Sequence, residues 1–441
     1  MTVQLAGIIV TKDSPHYDVC CLSWNRAITR HPSMIIYCQK TEDVVGATQY
    51  VKENNLSFRV RSGTHHYAGY STGDDVVVID VSLMDEIKLD DDVVTVQGGV
   101  RNRELYEVVC QAGFPFAGGG CPTVGVAGYT LGGGWGYSSR LFGLGCDQLI
   151  EAEIVVSDGE VLVANRHQHQ DLFFALRGGG GGNFGVVTSL TYRLPEKQEM
   201  ATLINIDYPQ VGIEKVAEVA LTYQQLFKDL DRRMNLKMAM YHSETKGIGV
   251  KLTGLFYGSK TDAIHLLAAF SSAPCVELEE MSILEANRAI QDSHPDFEMY
   301  ASGGRFIMRD YTKTELLTML HLIQNRAPGS VYTAITFYGL GGAISDISSE
   351  ETAFYYRDAR FILGFQSVFE DKGYKEQNNA FVRERFNELC SYTKGSFINF
   401  PIEQGENYEK EYYGDNLARL KDVKRKYDPI NLFKFEQSIR G

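Results

Sequence analysis

The chain has 441 residues and a formal net charge of −13, and this length allows two or three domains with buried cores. Its acidic balance leaves no net basic surface for phosphate groups, which argues against nucleic acid and anionic membranes as partners. The first residues lack a signal-peptide pattern, and no apolar run approaches the roughly 18 residues of a membrane span. We therefore expect a cytoplasmic protein with small-molecule partners, and its oligomeric state is left open.

The N-terminal third alternates helices with short strands. A helix is predicted from Thr41, as N-cap, to Asn55, because acidic residues follow the cap and apolar residues recur at helical spacing. A second helix is predicted with Asn102 as N-cap and Gly113 as its left-handed stop. The stretches SFRVRSG, VVVIDVS and VVTVQGG are typical of strands. The dipeptide Asp158–Gly159 predicts a hairpin turn with two positive backbone angles.

After Pro195 the sequence changes to longer alternating stretches. Leu236, Met238 and Met240 alternate with other residues, which indicates antiparallel strands with one buried face. Helices are predicted near residues 211–230 and 261–270. The elements lack the regular βαβ spacing of a doubly wound sheet, so we predict an α+β fold.

Three segments are predicted. Residues 1–197 form the N-terminal part of a first domain, residues 198–398 form a second domain, and residues 399–441 return to the first domain. The charged, helix-forming composition of the last forty residues favours this return.

Four glycine clusters lie between Gly98 and Gly185. A backbone without side chains lets several loops approach one flat or phosphorylated ligand, so the clusters favour a cofactor cradle over a set of ordinary tight turns. The spacing of Gly180, Gly182 and Gly185 satisfies GxGxxG. However, a helix-like stretch precedes this motif and a strand-like stretch follows it, which is the reverse of the dinucleotide-binding order.

Two residues stand out within these loops, His65 and Cys121. A lone histidine is usually a hydrogen-bonded surface group, and a lone cysteine is usually a small buried apolar residue. A zinc site lacks ligands at the required spacing, since His66 is the immediate neighbour of His65. A Cys–His nucleophile pair is possible, but it leaves the glycines unexplained.

Four ordered stretches resemble one family across nearly the whole chain: RSGTHHYAGYS, GGGCPTVGVAGYTLGGGWG, LFFALRGGGGGNFGVVTSL and YYGDNLARLKDVKRKYDPINLFKFEQSI. They are similar to signatures of the berberine-bridge-enzyme-like flavin oxidases of the vanillyl-alcohol oxidase superfamily. The resemblance implies a PCMH-type FAD-binding domain of two α+β subdomains. It also implies a substrate domain with an antiparallel sheet covered by helices.

The resemblance further implies an FAD attached by two covalent bonds. His65 aligns with the ligand of the 8-alpha methyl group, with His66 as the alternative, and Cys121 aligns with the ligand of ring carbon 6. Thr64 replaces a glycine of the family pattern. The other residues that the resemblance assigns to cofactor binding are Arg61, Ser62, Gly63, Thr64, Gly120, Thr123, Gly125, Gly128, Gly132, Gly133, Gly182, Asn183, Gly185, Val187 and Asn416.

The family's reaction moves a hydride from an alcohol, a sugar-like hydroxyl or a secondary metabolite to FAD, and oxygen then takes the electrons as hydrogen peroxide. Val124 aligns with a position where a small side chain leaves oxygen a path to the ring, so the resemblance favours an oxidase. A purely packing role for Val124 is the alternative.

The catalytic base departs from the family pattern. Many members have Tyr-x-Asn-Tyr where this chain has Phe397 and Phe400, and phenylalanine carries no proton. Tyr67 is the first candidate base, although a phenol needs a nearby positive charge to act near neutral pH. The weaker candidates are Tyr129, Glu403 and Tyr413.

Two other hypotheses stay open. The chain could bind flavin with little or no turnover, in a structural or accessory role, as the missing tyrosine suggests. It could instead be a zinc or thiol hydrolase, which would contain no flavin.

Overall fold

A computed structural model describes residues 6–402 and 407–441. Its first sheet has the order β1-β2-β4-β3, in which β1 is antiparallel to β2 and the other pairs are parallel. The strands are β1 (Ile8–Thr11), β2 (Met34–Tyr37), β3 (Phe58–Arg61) and β4 (Val77–Asp80). The helices are α1 (Tyr17–Cys20) and α2 (Thr41–Glu53).

The second sheet is antiparallel throughout, with the order β5-β6-β9-β7-β8. Its strands are β5 (Ile87–Asp90), β6 (Val93–Gln97), β7 (Leu149–Val155), β8 (Val161–Asn165) and β9 (Val186–Arg193). The helices in this part of the chain are α3 (Asn102–Gln111), α4 (Val126–Leu131), α5 (Ser139–Phe142) and α6 (Gln170–Ala175).

Both predicted N-caps are wrong by one residue. Thr41 is the first residue of α2, and the extended Lys40 precedes it as the cap. The Thr41 hydroxyl instead donates to Glu153 Oε1 at 2.8 Å. Asn102 is likewise the first residue of α3 after the extended Arg101. Its side-chain amide donates to the carbonyl oxygen of Cys121 at 3.0 Å, so a tertiary contact replaces the capping bond that propensity predicted.

The other short-range predictions for this region hold, with one correction. Gly113 follows α3 with φ of +88°, as a left-handed stop requires. The hairpin between β7 and β8 turns at Asp158 and Gly159, but only Gly159 has a positive φ, of +88°. The Asp158 carboxylate accepts the amide of Glu160 at 2.9 Å, which stabilises the turn without a second left-handed residue.

The third sheet is a large antiparallel sheet with the order β13-β10-β12-β11-β15-β16-β14-β17. Its strands are β10 (Met200–Tyr208), β11 (Met234–Ser243), β12 (Gly247–Phe256), β13 (Cys275–Ser282), β14 (Met299–Ile307), β15 (Ser330–Gly339), β16 (Phe361–Phe369) and β17 (Lys394–Ser396). The helices of this segment are α7 (Ile213–Asp229), α8 (Lys260–Leu266), α9 (Ile283–Asp292), α10 (Lys313–His321) and α11 (Lys375–Leu389).

The two faces of the third sheet differ. Leu236, Met238 and Met240 are fully buried in one hydrophobic core with side chains of α7, α10 and α11, as their alternation predicted. The intervening side chains, such as Lys237, point to the opposite face because successive residues of a strand alternate. That polar face looks towards the first two sheets. The α+β architecture is confirmed.

The C-terminal segment packs on the first two sheets through α12 (Tyr408–Tyr413) and α13 (Leu417–Tyr427). Lys424 of α13 is fully buried, and its ammonium donates to Asp428 at 2.7 Å and to the carbonyl oxygen of Asn183 at 2.7 Å. This contact supports the predicted return of residues 399–441, and the domain boundaries themselves stay predictions. No helix within residues 6–402 and 407–441 is long and apolar enough to span a membrane.

Candidate active site

A cavity of about 850 Å³ lies between the glycine-rich loops and the polar face of the third sheet. The loop after β3 contributes His65 to its wall, and the loop between α3 and α4 contributes Cys121. The two residues that are about fifty positions apart in the sequence therefore meet at one site. The cavity is large enough for a cofactor and a small substrate.

The two loops touch at their glycines. A Cβ atom on Gly63 would lie 2.1 Å from the backbone nitrogen of Gly125, and a Cβ on Gly125 would clash with the Ser62 hydroxyl. Nε2 of His65 hydrogen-bonds the Thr123 hydroxyl at 2.5 Å. This bond ties the histidine directly to the loop of Cys121, two residues beyond the thiol.

The imidazole of His65 is held in one orientation. Its ring stacks on Trp24 with a centroid distance of 4.7 Å and an interplanar angle of 25°. Burial lowers its pKa to about 3, so the ring is neutral near pH 7. Nδ1 is buried with no hydrogen-bond partner among the described residues, and an unpaired buried nitrogen of this kind requires an explanation.

Cys121 is partly exposed to the cavity. Burial raises the pKa of its thiol to about 12, although the positive charge of Lys237 opposes part of that rise. Its backbone is fixed by the Asn102 amide. The thiol is therefore protonated at neutral pH, and Cys121 lines the same cavity as His65.

His66 also lines the cavity. It accepts a 3.3 Å hydrogen bond from the backbone of Tyr70 through Nδ1, and the two rings lie 4.8 Å apart. These contacts direct His66 towards Tyr70, whereas the contact with Thr123 connects His65 to the cysteine loop. The geometry thus favours His65 over His66 as the partner of Cys121.

Most of the predicted site residues line this cavity together. They are Ser62, Gly63, Thr64, His65, Tyr67, Gly120, Cys121, Val124, Gly125, Gly128, Tyr129, Gly182, Gly185 and Val187. Thr123 joins them indirectly through its bond to His65.

Other predicted cofactor contacts lie outside the cavity wall. Arg61 is buried in an ion pair with Asp80. Asn183 donates to the carbonyl oxygen of Gly179 at 2.9 Å and accepts the amide of Ile439 at 2.8 Å. These side chains stabilise the loops that form the cavity through their own hydrogen bonds. A buried polar group without such partners would lower the stability of the fold.

Asn416, Gly132 and Gly133 also serve packing. The Asn416 amide donates to the carbonyl oxygens of Ser349 and Thr352. A Cβ on Gly132 would overlap the side chain of Asn399, and a Cβ on Gly133 would meet the ring of Phe354. Glycine is required there by neighbouring protein atoms.

The candidate bases differ in their surroundings. Tyr129 donates its hydroxyl proton to the carbonyl oxygen of Ala117 at 2.6 Å, and Tyr413 is fully buried with its hydroxyl on the carbonyl oxygen of Gly179. Both hydroxyls are engaged in structural bonds, which does not fit a catalytic role. Glu403 lies outside the described residues.

Tyr67 does lie in the cavity, with its ring 5.8 Å from that of Phe400 and 4.8 Å from that of Tyr300. Burial raises the pKa of its phenol well above 10, and negative charges nearby add to the shift. The positive charge that a phenolic base requires is therefore lacking around Tyr67 in the described structure.

Sequence reasoning missed the cavity residues that the third sheet and its neighbouring loop contribute. Lys237, Tyr338 and Gln366 come from the polar face of the third sheet, and Tyr300 donates to Gln366 Oε1 at 2.8 Å. The polar residues that alternate with apolar ones in these strands are the sequence signal that could have identified them. Glu298 precedes β14, where no sequence pattern marked it. Burial raises the pKa of its carboxyl to about 7.

Comparisons with known proteins show the family of the chain. Residues 32–165 match the family model of an FAD binding domain, and residues 396–440 match one described as berberine and berberine like. The uncharacterized FAD-linked oxidoreductase YvdP of Bacillus subtilis is 33% identical over 99% of this chain and 99% of its own length. Berberine bridge enzyme-like D-1 of Nicotiana tabacum is 28% identical over 92% and 82% of the two chains.

Solved structures show the same fold. BBE-like 1 of Physcomitrella patens superposes with a TM-score of 0.88 at 24% identity, over 99% of this chain and 97% of that chain. A chitooligosaccharide oxidase gives 0.88 at 22% identity, over 98% and 97%. The FAD binding domain and the relatives identify the chain as an FAD-dependent oxidoreductase. The chain belongs to the berberine-bridge-enzyme-like FAD-linked oxidoreductases of the PCMH-type superfamily, which confirms the resemblance. The FAD binding domain supports FAD as the cofactor, and its covalent attachment stays a prediction.

Proposed function

We propose that this protein is an oxidase whose FAD is bonded covalently to both His65 and Cys121, and which converts an alcohol or sugar-like hydroxyl to a carbonyl while oxygen is reduced to hydrogen peroxide. The observation that carries the proposal is the hydrogen bond between His65 and Thr123. It brings the histidine to the loop of Cys121 at the wall of one cavity.

The state of the His65 ring supports attachment through Nδ1. When Nε2 donates its proton to the Thr123 hydroxyl, the lone pair lies on Nδ1. That nitrogen is neutral, oriented by Trp24 and without a hydrogen-bond partner in the described part of the chain. An atom with these properties fits a bond to the cofactor.

When bound, FAD would supply the redox chemistry, a two-electron oxidation of the substrate carbon with oxygen as the final acceptor. The protein has to hold the substrate, remove the hydroxyl proton and exclude water. Tyr67, Tyr300 and Phe400 form an aromatic wall in the cavity, which is suited to packing against the substrate ring.

We assign proton acceptance to Glu298. Its backbone amide donates to the carbonyl oxygen of Trp24 at 3.2 Å, and the Trp24 ring stacks on His65. Glu298 lines the same cavity as His65 and Cys121, and a base with a pKa of about 7 is matched to work at neutral pH. Because the ionised form accepts the proton, substrate oxidation should become faster as the pH rises through about 7.

Acid precipitation tests the covalent tether. The purified protein is denatured and precipitated in acid, and the visible spectrum and intact mass of the pellet are recorded. We expect a yellow pellet with one FAD in wild type, and a single remaining attachment in His65→Ala and in Cys121→Ala. His66→Ala is the matched control and should keep both attachments. A colourless pellet from protein prepared with ample FAD contradicts the double tether.

Oxygen consumption tests the oxidase assignment and separates it from a flavin protein without turnover. A panel of alcohols and sugars should include a donor that produces stoichiometric hydrogen peroxide. Val124 lines the cavity, and we propose that its small side chain admits oxygen. In Val124→Ile, reoxidation by oxygen should slow while anaerobic reduction by dithionite is unchanged. A complete lack of turnover would favour the structural role.

A further inference from the structure

Two lysines face the cavity from neighbouring strands of the third sheet. Lys237 lies on β11 and Lys251 on β12, and both belong to the cavity wall. In the register of the two strands, Lys237 pairs with Thr253 and Lys251 pairs with Ala239. The lysines are therefore diagonal neighbours on one face, about 7–8 Å apart at the backbone, and one small anion can contact both ammonium groups.

Neither lysine forms an ion pair with a carboxylate among the described residues. Asp207 lies directly opposite Lys251 on β10, but its carboxylate already binds the ammonium of Lys246 at 3.1 Å and accepts the Tyr241 hydroxyl at 2.9 Å. Glu277 accepts the amide of Asn205 at 2.7 Å. A buried ammonium such as Lys237 is costly inside a cavity unless a ligand supplies negative charge, and Lys251 beside it shares the Asp207 carboxylate with Lys246.

Lys237 is held in place by neutral groups. Its ammonium lies near the phenol of Tyr137, whose hydroxyl oxygen is 2.9 Å from the hydroxyl of Thr253. Burial opposes the charge on Lys237, but the phenols of Tyr137 and Tyr338 raise its pKa above the ordinary value. Burial lowers the pKa of Lys251, and Asp207 offsets part of that shift. An ammonium has three donors, so Lys237 keeps donors for a ligand.

We propose that the substrate is an anionic alcohol, a hydroxylated carboxylate or phosphate, whose acid group is bound by Lys237 and Lys251 while its hydroxyl-bearing carbon faces the flavin. The inference rests on the proposed function, because it assigns the substrate of the same cavity. Aromatic side chains line the cavity between the proposed positions of the acid group and the flavin. The ring centroids of Tyr338 and Phe400 there lie 5.3 Å apart. Such a wall accommodates a sugar or aromatic ring.

Thermal shift measures this binding without relying on redox activity, because a ligand that binds the folded state raises Tm. The probes are sodium glucuronate for a carboxylate, glucose 6-phosphate for a phosphate and glucose as the neutral analogue, with sodium chloride added to equal ionic strength. We expect one of the acids to raise the Tm of the holoenzyme at a concentration where glucose does not. If glucuronate raises Tm, the substrate's acid group is a carboxylate, and if glucose 6-phosphate raises Tm, it is a phosphate.

Variants locate the site. Lys237→Gln and Lys251→Gln should each weaken binding of the effective acid about tenfold, and the double variant about a hundredfold, because each removes a charge-assisted hydrogen bond. Lys237→Arg should keep most of the affinity. Lys88→Gln is the matched control, since Lys88 is an exposed lysine on β5 outside the cavity, and it should bind like wild type.

Several outcomes overturn the proposal: neither acid shifts Tm, glucose shifts it equally, or the lysine variants bind the acid with wild-type affinity. The flavin content of each sample is measured separately by acid precipitation. Protein that binds the acid but lacks tethered flavin refutes the double tether and leaves the anion site intact. Protein with tethered flavin that ignores both acids refutes the anion site alone.

Discussion

At the scale of single residues, the loop that carries His65 contains a backbone conformation that its sequence does not favour. Thr64 has φ of +59°, and the left-handed region is unfavourable for a β-branched residue. The family pattern that this loop resembles has glycine here, and glycine adopts positive φ without steric cost. The loop therefore keeps its shape in spite of Thr64, through bonds such as that from the Trp24 amide to the Thr64 carbonyl at 3.1 Å.

Relief of this strain gives the first prediction. Thr64→Gly should raise the stability of the protein by about 1 kcal/mol, because the removed steric cost exceeds the extra entropy of glycine in the unfolded chain. The measurement is Tm of the protein with its flavin content matched. Ser71→Gly is the control in the same loop, where φ is not positive, and it should lower Tm. A fall of Tm in both variants would contradict the strain argument.

Glu298 gives a prediction for stability as a function of pH. Its folded pKa of about 7 lies above the ordinary value of 4.5, so the folded state holds a proton that the unfolded state releases. The contribution of this group is favourable below the unfolded pKa and is lost as the pH rises towards about 7. Glu298→Gln should match wild type in Tm near pH 4, below the unfolded pKa, and exceed it near pH 8.

The control for that comparison is an exposed carboxyl group, Asp90→Asn on β5. Its difference from wild type should vary little between the two pH values. A difference for Glu298→Gln that is independent of pH would show that the carboxyl titrates normally, and the assignment of Glu298 as proton acceptor would lose its basis.

At the scale of elements, the loops that carry His65 and Cys121 can pack closely because glycine has no side chain at their contact. Gly63→Ala places a Cβ 2.1 Å from the Gly125 backbone nitrogen, and backbone atoms cannot move aside as a side-chain end can. We expect a loss of about 1–3 kcal/mol in stability together with incomplete attachment of the flavin to His65, Cys121 or both. Calorimetry and the acid-precipitation assay measure the two effects.

Gly46→Ala is the matched control for this substitution. Gly46 lies within α2, and a Cβ there would meet no atom within 4 Å. Alanine is the better helix former, so this variant should be as stable as wild type or up to about 1 kcal/mol more stable, with normal flavin attachment. Equal behaviour of the two variants would remove the proposed role of the Gly63–Gly125 contact.

The elements themselves were largely predictable from local patterns. The alternation in β11 and the apolar spacing in α7 appear in the structure as predicted, because one face of each element is buried in a continuous core. The errors concern element ends. Thr41 and Asn102 were predicted as caps, but long-range bonds to Glu153 and to the Cys121 carbonyl use their side chains instead.

At the scale of the whole molecule, the C-terminal helix α13 stabilises the glycine-rich loop that contains Asn183. The ammonium of Lys424 is fully buried, where it contacts Asp428 and the carbonyl oxygens of Asn183 and Phe433. Lys424→Met should destabilise the protein by about 3–5 kcal/mol, since the buried Asp428 carboxylate is left unpaired. Urea denaturation measures the loss.

Lys426→Met on the same helix is the control. Its ion pair with Asp171 is solvent-exposed, and exposed pairs contribute about 0–1 kcal/mol. If both substitutions cost the same small amount, the C-terminal segment would not stabilise the loop through Lys424, and the closure of the first domain by residues after 399 would need another explanation.

The sequence by itself determined the family, the flavin and the loops that carry His65 and Cys121, because these features lie in contiguous motifs whose residue types and order can be recognised along the chain. Only the tertiary structure decided what surrounds them. Lys237, Lys251 and Glu298 reach the cavity from strands and loops distant in sequence. Alternation identifies the polar face of a strand, but what that face meets depends on how the sheets pack. The same packing placed Arg61, Asn183 and Asn416 in the supporting structure around the cavity.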